Sequence, residues 1–363
     1  MRSSGVCMFY RETGVFHESY AADMALFPIP LDRWGVVVLL LIACLGIPLL
    51  ANQYWIGSLI IPCLIFALSA LGLNFLTGYA GQLSLGHAAI MGVGAYGAVI
   101  LFARHSVPLL PSLLGGGVIA ALVGVVFGFP ALRIKGFYLA VSTLAAQFVI
   151  EWVITHVKWI GGGVFATIDT PPLRIGGWLI DTPVEKYYLT LAIVIGLTVF
   201  AKNIVRSRVG RAWMAIRDRD MAAEIIGISL FRYKLLAFAV SSFYAGVAGG
   251  LMSFTYYAAA NIEEFNLLLS FRLLGMIIIG GMGSILGSFL GAGFIVVLPI
   301  FINQLLVMFG KMAGRLVTTD LLANTELMVF GALIVFFLIV EPLGLARLWQ
   351  TLKNYLRLWP LPY

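Results

Sequence analysis

Side chains able to do bond chemistry are few in this chain and stand apart from one another. The four histidines, His17, His87, His105 and His156, show no HExxH spacing and no carboxylate at ligand spacing, so the pattern of a metal-dependent membrane enzyme is missing. Cys7, Cys44 and Cys63 form no CxxC pair, and the last two fall inside apolar runs, which points to packing rather than to a disulfide framework or a zinc site. Gly310-Lys311 lacks the preceding glycine of a phosphate-binding loop and is followed by Met312, so any nucleotide hydrolysis has to come from another chain. No catalytic residue and no metal ligand is expected.

What the chain offers instead is interrupted backbone. From Gly78 to Gly97 it reads GYAGQLSLGHAAIMGVGAYG between two apolar runs. Gly92, Gly94 and Gly97 make a formal GxGxxG, but a dinucleotide site needs that pattern at a strand-to-helix turn and here it falls within a membrane helix. The earlier part, with Gly78, Gly81, Gln82, Ser84 and Gly86, breaks apolar sequence at a depth where water is scarce. Backbone broken there must line a cavity or be buried in protein, and a discontinuous helix is a recurrent way to build a solute path. A plain cytoplasmic turn followed by close helix packing is the competing reading. His87, next in sequence, reads as a buried, hydrogen-bonded side chain, with polarisation of a site beside the break as the competing reading.

A second break, Gly280-Gly281-Met282-Gly283-Ser284, is followed by Gly287 and Gly291. Gly283, Gly287 and Gly291 recur every fourth residue and share one helix face, the small-residue seam of close helix packing. The break itself reads as a kink at membrane depth that pairs with the first across the bundle. Thr143, Gln147 and Glu151 fall at i, i+4 and i+8 on one side of a span, where polar groups face a bundle interior or water. Interhelical hydrogen bonding and solute contact both fit Thr143 and Gln147. The candidate pathway is therefore Gly78, Gly81, Gln82, Ser84, Thr143, Gln147, Gly280, Gly281 and Gly283.

The elements that would hold these residues follow from composition. With 61% hydrophobic and 11% charged residues, the chain is expected to be an all-α polytopic membrane protein. Forty glycines support a tightly packed bundle, because in lipid they let helix backbones approach. Apolar runs centred on 34–51, 56–74, 87–103, 113–129, 137–155, 188–201, 235–256, 267–283, 284–309 and 326–341 predict about ten transmembrane helices, some of them broken. Residues 34–345 form the transmembrane domain on this reading, with a leader at 1–33 and a tail at 346–363.

One polar stretch, 202–234, holds eight Lys or Arg residues between long apolar runs and is expected to face the cytoplasm as a docking surface. Counting from it puts Arg133 and Lys135, both termini, and Arg347, Lys353 and Arg357 on the inner side, and the 156–187 and 257–266 segments outside. Of the 23 Lys and Arg, 16 then fall inside and 7 outside, while the 16 acids divide 8 and 8. Only the basic residues are asymmetric, as the positive-inside rule requires; Lys311 and Arg315 on the outer side run against it. The net charge of +7 reflects this orientation and calls for no nucleic acid. Residues 1–33 lack the apolar core and cleavage site of a signal peptide, and Met24 is a candidate start of translation.

The segments GYAGQLSLGHAAIMGVGAY at 78–96, KGFYLAVSTLA at 135–145, RAWMAIRDRDMAAEIIGISLFRYKLLAFAVSSFYAGVAGGL at 211–251 and IIIGGMGSILGSFLGA at 277–292 resemble the M-type permease subunit of branched-chain amino-acid ABC importers. They follow the family order between about Leu31 and Leu345. The resemblance implies an ABC importer permease fold and a coupling helix matching Ala222, Ala223 and Glu224 through Gly227 and Ile228, seated in a groove of an ATPase. A short helix with small residues on one face can seat deeply, while Arg217, Arg219, Arg232 and Lys234 find carboxylates around the rim or anionic lipid nearby.

The resemblance also implies partners: a second homologous permease, two ABC ATPases that bind ATP and Mg, and a periplasmic binding protein, in a bacterial inner membrane. The chain itself would bind no cofactor. Branched-chain amino acids are the default solute; urea, short amides and aromatic acids are handled by relatives of the same family. The competing class, an ion-coupled secondary transporter, predicts ionisable residues central to the spans, and the sequence shows almost none there.

Overall fold

The computed structural model describes residues 30–131, 137–161, 166–175, 178–312, 319–341 and 343–358. The leader up to residue 29, Arg133, Lys135 and Arg315 lie outside the described residues. Long apolar runs become helices because a helix satisfies its own backbone where lipid supplies no partner. In chain order these are α1 (Trp34–Leu50), α2 (Gln53–Tyr79), α3 (His87–Ala103), α4 (Leu109–Ala131), α5 (Phe137–His156), α6 (Pro183–Arg206), α7 (Arg208–Asp218), α8 (Asp220–Ile225), α9 (Leu230–Tyr257), α10 (Leu267–Gly280), α11 (Ile285–Met312), α12 (Thr319–Val340) and α13 (Gly344–Leu358).

Each of the ten apolar runs overlies one of these helices, although not every one is long enough by itself to count as a crossing. Among the described residues six helices are long and apolar enough to cross a membrane, namely α2, α4, α5, α6, α9 and α11. Counting α12 with α13, a pair bent by 53°, raises the number to seven. The remaining three, α1, α3 and α10, are apolar but span only 10–17 residues. For α3 and α10 the physical reason is local: each adjoins a break, and a helix interrupted at depth is shorter than the hydrocarbon layer.

The centre of the bundle is α3, α4 and α9, packed through glycines. A Cβ on Gly94 of α3 would fall 2.1 Å from the Cα of Gly246 on α9, and one on Gly246 would fall 2.4 Å from the Cβ of Ala120 on α4. Helices so close gain dispersion contacts along their whole length, which is what holds a bundle together when lipid removes the hydrophobic driving force. Around this centre α2 packs on α9, α10 and α11, and α11 on α10. The expected seam holds for two of its three glycines: a Cβ on Gly280 would fall 2.0 Å from the Gly287 carbonyl oxygen, and one on Gly291 would fall 1.8 Å from that of Met276, whereas Gly283 precedes α11 at φ +78° and does not share its face.

The end of the bundle away from the 202–234 loop is closed by short strands. β1 (Thr167–Asp169) runs antiparallel to β4 (Ala259–Asn261), with Thr167 opposite Asn261; β2 (Arg174–Ile175) pairs with β3 (Trp178–Leu179). The Tyr96 hydroxyl of α3 donates to the Ala166 carbonyl and ties this cap to the core. α6 then starts on a capping box, in which the Thr182 hydroxyl accepts from the Glu185 N–H and the Glu185 carboxylate accepts from the Thr182 N–H.

The same substitution is expected to have opposite effects at two helical glycines. Gly94→Ala should lower the thermal unfolding temperature in detergent, because the new methyl meets backbone. Gly196→Ala in α6, where nothing lies within 4 Å, should leave it unchanged or raise it, by about 0.5–1 kcal/mol of helix propensity.

Candidate translocation and coupling site

The first break penetrates the bundle. α2 ends in a π-helical turn at Phe75–Tyr79, and the next helix does not begin until His87. The His87 ring meets the Ser69 carbonyl oxygen at 3.1 Å, and Ser69 lies ten residues before Tyr79. At 1.5 Å per residue, the start of α3 is therefore about 15 Å from the end of α2. Ser270 gives an independent measure: it accepts from the Ala88 N–H at 2.9 Å and sits ten residues before the end of α10 at Gly280. Residues 80–86 are thus a non-helical path running back into the bundle, not a turn at its surface.

A helix beginning at such depth leaves N–H groups with no water to accept them. Three are met by side chains of other helices. Thr143 accepts from the Leu85 N–H at 2.9 Å, Ser270 from Ala88, and Gln147 from the Ala89 N–H at 2.9 Å. Gln147 is fully buried, donates to the Phe265 carbonyl at 2.9 Å and accepts from the Ser270 hydroxyl. Thr143 and Gln147 therefore act as interhelical hydrogen-bonding groups that cap α3, the first of the two roles expected for them. Glu151, one further turn along, is not part of this set.

Gln82 and Ser84 lie inside the path and are both buried. The Gln82 amide is 3% exposed, and neither its nitrogen nor its oxygen has a hydrogen-bond partner among the described residues. Leaving such a group unpaired costs about 1–3 kcal/mol. Glu341 Oε1 is also without a hydrogen-bond partner, but Arg347 Nε stands 3.8 Å away.

The two breaks meet at Asn74. Its Nδ2 donates to the Ser284 carbonyl at 2.9 Å and to the Ser288 hydroxyl at 3.0 Å, and its Oδ1 accepts from the Gly283 N–H at 2.8 Å. Gly78 and Gly283 approach so closely that a Cβ on Gly78 would fall 2.4 Å from the Gly283 nitrogen. Asn74 escaped the reading of the sequence, although a fully buried asparagine closing an apolar run is a signal of such a linkage. Arg272 on α10 and Glu326 on α12 were missed too; they form a 2.7 Å ion pair beside a cavity of about 190 Å³. Among the described residues no cluster of three or more His, Cys, Asp or Glu is placed to hold a metal ion.

Arg217, at the end of α7, joins the polar loop to both breaks. Its Nη1 donates to the Gly78 carbonyl at 2.9 Å, a Cβ on Gly81 would fall 3.1 Å from its Cγ, and a Cβ on Gly283 would fall 2.9 Å from the same nitrogen. Asp218 pairs with the guanidinium at 3.1 Å. α7 is held down by Trp213, which is fully buried, donates to the Tyr233 carbonyl at 2.8 Å and lies 5.8 Å from the Phe75 ring at the π-helical turn. Trp213 was not singled out in the sequence.

α8 follows as a six-residue helix and ends in a Schellman motif: the Ile228 N–H reaches the Ala223 carbonyl and the Gly227 N–H that of Glu224, both at 3.0 Å. Gly227 takes φ +88°, the left-handed conformation this motif needs. The small-residue face is not uniformly free. Ala223 is only 2% exposed and turns into the protein, whereas Met221 is 71%, Ile225 86% and Ile226 72% exposed, beside the exposed Ala222 and Glu224. The expectation that Ala223 seats in a partner is corrected on this ground; the surface α8 presents is larger and more apolar.

The family described as branched-chain amino acid transport system / permease component matches residues 55–338. The chain belongs to that family. It is 31% identical over 288 residues to the high-affinity branched-chain amino acid transport system permease protein LivM of Escherichia coli (strain K12), covering 72% of this chain and 66% of the relative. It is 31% identical over 259 residues to LivM of Salmonella typhimurium, covering 64% and 60%. It is 22% identical over 249 residues to the permease LivH of Salmonella typhimurium, covering 62% and 78%. The alignments to the two LivM relatives span 60–66% of their length. No solved structure matches the chain.

In this family member, Asn74→Leu keeps the side-chain volume close and removes all three links to the second break. It is expected to destabilise the bundle by about 1–3 kcal/mol for each group left unpaired, and hydrogen exchange should rise at Gly283 ahead of the helix interiors. Asn74→Asp keeps an acceptor for the Gly283 N–H but loses both donated bonds and sets a buried acid against the Ser284 carbonyl, so it should destabilise the bundle at least as much as Asn74→Leu.

Proposed function

We propose that this chain is the permease subunit of an ATP-driven importer, forming the translocation path together with a second homologous permease. Two ABC ATPases bind and hydrolyse ATP with Mg, and a periplasmic binding protein delivers the solute. The chain sits in a bacterial inner membrane with the 202–234 loop and both termini cytoplasmic. The solute is a branched-chain amino acid or a related small polar molecule such as urea, an amide or an aromatic acid.

The observation that carries this reading is the mechanical continuity from α8 to the breaks. Met221, Ile225 and Ile226 give a partner an apolar grip at the tip of a polar loop, and Arg219 and Glu224 offer charges at its margin. A push on α8 passes through α7, clamped by Trp213, to Arg217, which touches the first break at Gly78 and Gly81 and the second at Gly283. Moving Arg217 takes a backbone partner from the first break and opens space beside the second, the kind of two-state element that an ATP-driven cycle can bias. The unpaired Gln82 amide inside the first break suits a passing polar solute, or water that accompanies it. Gly280 and Gly281, which end α10, complete the path on the other side.

Met221→Glu combined with Ile225→Glu is expected to leave the chain inserted in the membrane but abolish co-purification with the ATPases and ATP-dependent uptake. Ala223→Lys should act differently, by disturbing the fold of α8 itself, visible as protease sensitivity of the 202–234 loop. Undiminished ATPase association in the double variant would remove the coupling assignment.

Uptake of leucine, urea and an aromatic acid, measured in vesicles with each partner omitted in turn, separates mechanism from solute. Transport is expected only with ATP and the complete set of partners, with the binding protein fixing the preference. Uptake by the chain alone, driven by a proton or sodium gradient, would establish the secondary-transporter alternative.

A further inference from the structure

Beyond α12 the chain turns by 53° into α13, and this last helix has two distinct faces. Leu345, Leu348, Trp349 and Leu352 fall within one arc at 100° per residue, while Arg347, Gln350, Thr351 and Lys353 occupy the rest. Most of the apolar arc is not used by the protein: Leu348, Trp349 and Leu352 are each about half exposed. On another side of the helix Ala346 is buried, and a Cβ on Gly281 would fall 3.1 Å from its Cβ.

The start of α13 is wedged against the second break. Gly344 takes φ +66°, and a Cβ there would fall 2.6 Å from both the Gly281 nitrogen and the Ile279 carbonyl oxygen. A Cβ on Gly281 would in turn fall 2.5 Å from the Leu343 carbonyl oxygen. Across the bend Arg347 Nε stands 3.8 Å from Glu341 Oε1. α13 therefore lies at the same end of the bundle as Arg217 and the 202–234 loop, immediately after the 22-residue apolar helix α12.

We propose that residues Gly344–Lys353 form an interfacial membrane anchor: the helix, turned by 53° from α12, meets the lipid–water boundary obliquely, with Leu348, Trp349 and Leu352 toward the acyl side and Arg347 and Lys353 toward the headgroups, and so fixes the position of the Gly281 break relative to the bilayer. The occupant of the apolar face is lipid, for three reasons on different footings. The helix begins only a few residues after α12, 22 residues long and apolar, so the bilayer surface is at hand. Its faces match an interfacial helix in kind, with large apolar and aromatic groups on one side and basic groups on the other. Trp349 belongs to the residue type that concentrates where an apolar body meets a polar boundary. The inference rests on the chain being a multi-pass membrane protein and is independent of its transport partners.

The test is a depth measurement on the full-length chain reconstituted in phosphatidylcholine/phosphatidylglycerol liposomes. Nitroxide labels are placed singly by Leu348→Cys, Gln350→Cys and Leu352→Cys after Cys7, Cys44 and Cys63 are replaced by alanine. Labels at 348 and 352 should collide more with oxygen than with a water-soluble nickel chelate, and the label at 350 should show the reverse ratio. Equal nickel access at all three positions would overturn the proposal by showing a solvated helix. Shielding of 348 and 352 from both reagents would overturn it in favour of a protein occupant. For the unaltered chain, a photoactivatable lipid reactive at the headgroup–acyl boundary should leave adducts on the peptide covering 344–353; adducts confined to the spans would overturn it.

Discussion

Broken backbone in a bilayer has to be satisfied by the protein itself, and the most consequential feature of this chain is how Asn74 meets that demand. One amide holds the N–H of Gly283, the carbonyl of Ser284 and the hydroxyl of Ser288. Because Asn74 stands immediately before the π-helical turn that ends α2, it fixes the entrance to the first break and the interior of the second by the same side chain. Remove that link and two stretches of non-helical chain lose their shared reference. An asparagine is suited to this place because it both donates and accepts without carrying a charge that lipid would penalise.

The capping of α3 follows the same logic. Thr143 and Gln147 from α5 and Ser270 from α10 bring acceptors to N–H groups about 15 Å inside the bundle, where water would otherwise be needed. With those groups filled, the start of α3 is a structural joint rather than an open anion site. The polar group left over nearby is the Gln82 amide, in the non-helical segment between α2 and α3.

Rigid and movable parts are separated by side-chain size. α3, α4 and α9 touch backbone to backbone through glycines, and such packing has little freedom to slide. The polar loop is attached by a few large side chains instead, Trp213 against Phe75 and Arg217 against Gly78. A load carried by two or three side chains can be redirected without unpacking the core.

The sequence alone was sufficient for the membrane class, the helical architecture, the basic polar loop and the two glycine breaks, since each is a property of local composition: lipid forces helix, and glycine runs interrupt it. The family resemblance was also readable there, carried by four segments in order and later met by the match over residues 55–338. Spatial relations were decided by the fold. No spacing rule connects Asn74 with Gly283, more than two hundred residues apart, or Arg217 with Gly78. The depth of residues 80–86 could not be read either, because the same polar sequence fits a surface turn until His87 is seen beside Ser69. The face of α8 is the last example: Ala223 and Ile225 are both helix residues, and only the packing of the loop against the bundle turns the small one inward and leaves the large one to solvent.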